Sequence, residues 1–191
     1  MKLLRTGWLL VVLGLAFTGT SLRPPLPGPP TRTALKDSSS ISYLIIHPLH
    51  RVEATCREFA CTIGYNDATR TIDSASFSAE VPCFDSGNSN RDSHAMEVLD
   101  ALTYPTVSFR STAIRAEGPA LTVTGDLTFH GQTRSVVFRA AEDSSGGVLT
   151  VRGNAAISLT DFSIDRPTLL MVPVEDTLRI SFTMVFPDTL K

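Results

Sequence analysis

The chain has 191 residues, 42% apolar and 19% charged, and its 17 Lys and Arg are nearly balanced by 19 Asp and Glu. That length suits one domain with a real core, and the apolar content excludes an intrinsically disordered chain. The absence of a basic stripe excludes phosphate-driven nucleic-acid binding, and three cysteines in a chain this long exclude a disulfide scaffold.

Lys2 and Arg5 start the chain, Trp8 to Phe17 is an apolar run, and Thr18, Gly19, Thr20 and Ser21 are small. Basic, apolar and small residues in that order predict a secretory signal peptide over residues 1–20. The uncharged stretch from Thr6 to Leu22 falls short of the about 20 apolar residues of a spanning helix, which favours cleavage over a retained anchor. No cysteine lies near the run, so a lipid-modified N-terminal cysteine is excluded. Arg23 to Pro30 reads RPPLPGPP, a semi-rigid polyproline spacer. Thr31 to Ser40 is polar and without period, so residues 21–40 read as a linker and residues 41–186 as the folded domain. A cleaved signal places that domain in the periplasm or outside the cell.

Within the domain the hydrophobic period is two. Tyr43 to Ala54, Phe59 to Tyr65 and Ile72 to Phe84 predict three strands, with a turn at Asn66-Asp67. Asn88 to Ala101 breaks the pattern. Met96, Leu99 and Leu102 recur at helical spacing, Val98 broadens the stripe, and Ser89 or Asn90 can cap. Tyr104-Pro105 then stops the helix. Further on, Val107, Phe109, Ser111 and Ala113 alternate with polar residues, as do Leu121, Val123, Gly125, Leu127 and Phe129. The runs Leu149–Ile157 and Leu178–Phe186 repeat the alternation. Turns are predicted at Glu117-Gly118-Pro119, His130-Gly131-Gln132 and Ser144 to Gly147. The expected fold is all-β, an antiparallel barrel of about eight strands with one helix between the third and fourth. Such a barrel is packed solid or holds one small ligand.

Four motifs carry a resemblance. They are Phe84 to His94 (FDSGNSNRDSH), Tyr104 to Ser111 (YPTVSFRS), Gly125 to Thr133 (GDLTFHGQT) and Leu159 to Ile164 (LTDFSI). In this order they resemble the signature of the YceI-like family, with Ser163 standing where that family usually has Gly. The resemblance covers roughly residues 42–186. It implies a lipocalin-like extended barrel, a periplasmic location, and binding of a polyisoprenoid or similar long amphiphile.

Strand parity assigns Phe109, Val123, Leu127, Phe129, Phe138, Val151, Phe182 and Met184 to the barrel interior, as the lining or the plug. His47, His50, Arg91 and His94 are the candidates for a polar mouth that holds a ligand head group. For Arg91 and Asp92 a helix cap and salt bridge compete with that role, and for His47 to His50 a strand with a proline bulge does. His94 and Glu97 share a helix face and with His47 or His50 could bind a metal, but no His-x-His or His-Glu-x-x-His pattern supports it. If the second and third strands pair about a turn at residues 67–70, Cys56 and Cys83 meet across strands, with Cys61 left free and buried.

No nucleophile elbow, phosphate loop or nucleotide fingerprint occurs. The leading expectation is a non-catalytic carrier that sequesters an isoprenoid or fatty amphiphile, with no cofactor and no nucleic-acid partner. After signal cleavage it would have peripheral or no membrane association, and a homodimer is left open. A lipid- or quinone-modifying enzyme is the second class; it would need His130, His94 or Asp126 in the barrel, and parity puts His130 and Asp126 on the polar face. A ligand-free stress-response or interaction domain is the third, favoured by a plugged barrel.

Overall fold

The structure, a computed structural model, describes residues 30–188. The predicted signal peptide and the linker up to residue 29 lie outside the described residues. The strands are β1 (Thr31–Thr33), β2 (Ser40–His47), β3 (His50–Cys56), β4 (Phe59–Asn66), β5 (Thr71–Glu80), β6 (Thr106–Glu117), β7 (Ala120–Phe129), β8 (Gln132–Asp143), β9 (Val148–Ser158), β10 (Thr168–Leu169), β11 (Val172–Pro173) and β12 (Thr177–Pro187). A single helix among the described residues, α1 (Ser89–Val98), lies in the connection from β5 to β6. Ten strands form one antiparallel sheet in the order β1-β4-β5-β6-β7-β8-β9-β12-β2-β3, and β10 and β11 form a separate hairpin. The sheet curls into an open barrel. The alternation read from the sequence is the cause, since each long strand buries one face and wets the other.

Three expectations are corrected. Tyr43 to Ala54 is a hairpin rather than one strand, because Pro48 has no N–H for a ladder and the chain reverses between the paired residues His47 and His50. Residues 31–40, expected as linker, belong to the fold. Thr31 to Thr33 pairs with Thr62 to Gly64 of β4, and Ser39 is fully buried, its hydroxyl accepting from Val185 N at 3.0 Å. The helix cap is Asn88, whose side chain accepts from the N–H groups of Asn90 and Arg91, and Leu102 is fully exposed rather than part of the helix stripe.

The barrel has two ends. At one, the turns β4–β5, β6–β7 and β8–β9 are tight, and Tyr65, Ile72, Leu121, Leu149 and Phe186 fill the interior. Arg32 is buried there, ion-paired to Asp67 and Asp188, with its guanidinium 3.9 Å from the Tyr65 ring centroid. The other end carries α1, the β2–β3 and β7–β8 turns and the long β9–β12 connection, above a second cluster that includes Phe129, Leu159, Phe162 and Ile164. Between the clusters runs a row of rings, Phe109 to Phe138 at 5.4 Å and Phe138 to Phe182 at 5.7 Å. Two glycines make room for it. A Cβ on Gly125 would stand 2.4 Å from the Phe109 ring, and one on Gly153 would meet the Phe182 ring. This is the close approach for which a strand gives up a side chain.

The seam of the barrel lies between the edge strands. Leu35 N donates to Val185 O at 2.7 Å, and Thr55 and Asp85 exchange backbone hydrogen bonds of 2.9 and 3.1 Å. A disulfide joins Cys56 to Cys83 beside them. Cys56 ends β3 and Cys83 lies in the turn after β5, so the bond staples the seam rather than crossing adjacent β4 and β5.

Candidate functional site

The barrel encloses a cavity of about 360 Å³. That lies within the roughly 300–1,000 Å³ range of small-molecule sites. All eight interior residues read from parity line it: Phe109, Val123, Leu127, Phe129, Phe138, Val151, Phe182 and Met184. They come from β6, β7, β8, β9 and β12, so the wall is assembled by residues distant in sequence and fixed by register. The barrel is therefore hollow over part of its length rather than plugged.

The polar candidates divide. His50, Arg91 and His94 line the cavity and are exposed, which marks the mouth at the helix end. His47 does not line it. It is buried, its Nδ1 accepts from Leu49 N at 3.1 Å, and its Nε2 donates to Val172 O at 3.0 Å. Both ring nitrogens are spent on holding the β2–β3 turn against the β10–β11 hairpin, so the head-group reading of His47 is withdrawn. Arg91 also anchors the helix approach, donating from Nη2 to Ser86 O at 3.0 Å, while the Asp92 carboxylate accepts from Ser86 N. Arg91 thus braces the approach to α1 and also lines the cavity, while the cap itself is Asn88. His94 pairs with Glu97 at 3.6 Å. Among the described residues no group of three His, Cys, Asp or Glu could hold a metal ion.

His130 and Asp126 stay off the cavity, as parity requires. His130 Nδ1 lies 3.1 Å from Phe162 O and its ring stacks edge-on against Tyr104 at 4.8 Å, which ties the β7–β8 turn to the β9–β12 connection.

On the opposite face of the cavity-wall strands the hydroxyls pair with one another, Ser42 with Thr55 and Ser76 with Thr62, each at 2.7 Å. Cys61 lines the deep part, where burial pushes its thiol up to about 12. Burial and, to a lesser degree, the Asp92 carboxylate raise the Tyr43 phenol below the helix, against the opposing Arg91 charge. Both groups stay neutral at physiological pH, so the wall carries no charge deep inside. An arrangement of this kind can bury a long apolar chain and leave a polar end at the mouth.

Sequence reasoning missed part of the wall. Tyr43 and Ile45 follow the parity of β2 and were legible there; Ile164, Pro167 and Val174 come from the irregular β9–β12 connection, which has no period. The turn at Ser163 has a φ of 56°, the left-handed conformation that explains why Gly is usual at that place.

The YceI-like domain model matches residues 33–186. A UPF0312 protein of Pseudomonas syringae pv. tomato is 28% identical over 154 residues, covering 76% of this chain and 75% of that protein. Protein YceI of Escherichia coli O157:H7 is 28% identical over 118 residues, 58% of this chain and 62% of that protein. The crystal structure of Burkholderia cenocepacia BcnA superposes with a TM-score of 0.71 at 24% identity, over 80% of this chain and 98% of that one. A polyisoprenoid binding domain from Saccharophagus degradans, implicated in plant cell wall breakdown, gives 0.63 at 12% identity, over 82% and 97%.

Proposed function

The chain belongs to the YceI-like family, and from that premise we propose that it is a non-catalytic carrier for a polyisoprenoid or another long-chain amphiphile. The observation that carries the reading is the cavity: about 360 Å³, walled by apolar side chains, open at one end beside His50, Arg91 and His94. The fold neighbour from Saccharophagus degradans is described as polyisoprenoid binding, which fits a ligand of that class. Sequestration is the mechanism. Burying about 300 Å² of tail at ~25 cal/mol per Å² contributes roughly 7 kcal/mol before association costs. The head group stays at the mouth, where His50, Arg91 and His94 offer hydrogen bonds and charge. The carrier works in the periplasm or outside the cell, in keeping with the basic, apolar and small residues of its first 20 positions.

The test is mass spectrometry of organic extracts from natively purified protein, wild type beside Leu127→Trp. The expected result is a long-chain amphiphile in wild type that disappears in the variant with a nearly unchanged melting temperature. Unchanged lipid content with a large melting loss, the sign of an overpacked solid core, would overturn the reading.

A further inference from the structure

A carrier of this kind could take one short tail, one long tail or two side by side, and the dimensions of the cavity decide among them. Volume is the first. A dry apolar cavity of about 150 Å³ holds benzene, so a buried carbon takes roughly 25 Å³. At that density the cavity of about 360 Å³ holds about 14 carbons.

Depth is the second. The wall residues of β7 run from Leu121 to Phe129 and those of β12 from Leu178 to Phe186, eight residue steps in each strand. At ~3.3 Å per residue that is about 26 Å along a strand, and a barrel strand tilted by about 40° covers about 20 Å of the axis. An extended chain of single C–C bonds, each ~1.5 Å and meeting at ~111°, advances ~1.25 Å per carbon. The depth therefore takes about 16 carbons, close to the number set by volume.

Width follows from the two together. About 360 Å³ over that depth leaves a cross-section of about 18 Å². One chain at roughly 25 Å³ and ~1.25 Å per carbon fills about 20 Å². There is width for one chain and not for two. The rings of Phe109, Phe138 and Phe182, in a row with 5.4 and 5.7 Å between centroids, take up the rest of the waist.

The floor explains why the tail stops. Ile72, Leu121 and Phe186 line the deep end and are 6, 3 and 1% exposed. Phe186 pairs with Leu149 on β9, and Ile72 with Tyr65 on β4. Leu149 and Tyr65 are buried in the same cluster without reaching the cavity, so a second apolar layer closes the barrel beneath the first. A longer tail has no way through and leaves its surplus in water at the mouth.

We propose that the ligand is a single-chain amphiphile with a tail of about 14–16 carbons, three isoprene units or one acyl chain, and that Ile72, Leu121 and Phe186 set that length. This proposal rests on the carrier reading and narrows it, since a diacyl lipid and a long polyprenol do not fit as fully buried guests.

The test is a length series on the full chain stripped of lipid. Saturated primary alcohols of eight to twenty-two carbons, delivered from cyclodextrin, are titrated calorimetrically. Affinity should rise about fourfold with each added methylene and level off at about 14–16 carbons. Geraniol, farnesol and geranylgeraniol put the same head group on isoprenoid tails. Farnesol should bind about as tightly as geranylgeraniol and far more tightly than geraniol. A break at this length in either series supports the proposal and names the source as acyl or isoprenoid. Dipalmitoylglycerol should bind about tenfold more weakly than monopalmitoylglycerol, or worse.

Two variants move the break in opposite directions. Phe186→Leu removes three side-chain carbons from the floor and should extend the preferred tail by about two carbons. Ala75 lines the cavity on β5, between Phe77 at the waist and Ile72 at the floor. Ala75→Leu adds three carbons to the wall and should shorten the preferred tail by about three. It removes no packing, so it keeps the test decisive if Phe186→Leu is unstable.

Affinity that climbs without a break to twenty-two carbons overturns the length limit and leaves the carrier standing. A break that stays at one length in both variants overturns the role of the floor. Dipalmitoylglycerol bound as tightly as the single chain overturns the one-chain cavity. No binding at any length in either series overturns the carrier reading, and the proposal with it.

Discussion

The two ends of the barrel handle the same backbone problem in opposite ways. Both must reverse the chain, and reversals call for left-handed residues. At the closed end Gly118, Gly146 and Gly147 supply them, with Arg70 as the exception. At the mouth end Gly87 and Gly131 do so, but Asp100, His130, Ser163, Leu170 and Met171 also adopt positive φ. Each such residue costs about 1–2 kcal/mol relative to its preferred conformation. The mouth thus keeps side chains where the closed end chooses glycine, which is how local strain collects around functional surfaces. One end is built to seal and the other to present.

The largest effect should come from the staple on the seam. Cys56→Ala with Cys83→Ala removes a crosslink spanning 27 residues. Loop entropy for that span predicts a loss of about 3.5 kcal/mol. Hydrogen exchange should show the loss concentrated at the mouth end, in β3 and the β5–α1 connection, with β9 and β12 still protected. Uniform loss of protection would mean that the two ends do not open separately.

Next comes the waist between the ends. Gly125→Ala places a methyl 2.4 Å from both the Phe109 ring and the backbone oxygen of Arg110. The ring can turn but the backbone cannot, so overpacking should cost roughly 2–3 kcal/mol. In Gly153→Ala the closest atom, at 2.3 Å, belongs to the Phe182 ring alone. That variant should cost about 1 kcal/mol and narrow the cavity instead, as the ring moves inward. Chemical denaturation ranks the pair; equal costs would show that the ring, not the backbone, sets the penalty.

At the closed end, Arg32→Ala removes a cation shared by Asp67 and Asp188 and stacked on Tyr65. Asp67 is partly exposed, which tempers the loss to about 1–2 kcal/mol. Protection of β1 should vanish while ligand retention is unchanged, because no mouth residue depends on Arg32. Loss of bound lipid would tie the two ends together.

How much of this was legible follows from what each residue obeys. Long strands with one wet face announce their parity, so the eight wall residues could be placed without knowing the topology. The helix was legible from spacing but its end was not: it stops at Val98 with Asp100 left-handed, well before Pro105. The Arg32 strand was not, because three residues are too few to show a period and a buried arginine reads as surface. Around Pro48 the sequence leaves a polar mouth and a strand with a proline bulge as alternatives, whereas the residue marks a turn. His47 stands among the mouth candidates in the sequence because its partners, Leu49 N and Val172 O, are backbone atoms with no trace in side-chain pattern. The β10–β11 tip was invisible for the opposite reason: Leu170-Met171 contradicts the turn chemistry by which hairpins are recognised. Cys56 and Cys83 were paired through a strand register, yet the bond forms at the seam between an edge strand and a turn.

The smallest expected effect tests whether the closed end is as well satisfied as it is tight. Glu142 follows Ala140 on the inward parity of β8, and its Oε2 is the one buried side-chain N or O atom without a hydrogen-bond partner among the described residues. Burial raises its carboxyl above the ordinary 4.5, with the Arg70 charge opposing. A carboxyl raised in the folded state favours folding when protonated and costs stability as pH rises through the raised value. Glu142→Gln removes that dependence. Its melting temperature should match wild type below pH 4.5 and exceed it at neutral pH by the equivalent of a fraction of a kcal/mol, since the carboxyl is partly exposed and solvent screens it. The measurement is the pair of melting curves across pH. A difference that stays constant across the range would assign the effect to packing, and the carboxylate would then carry no strain at the closed end.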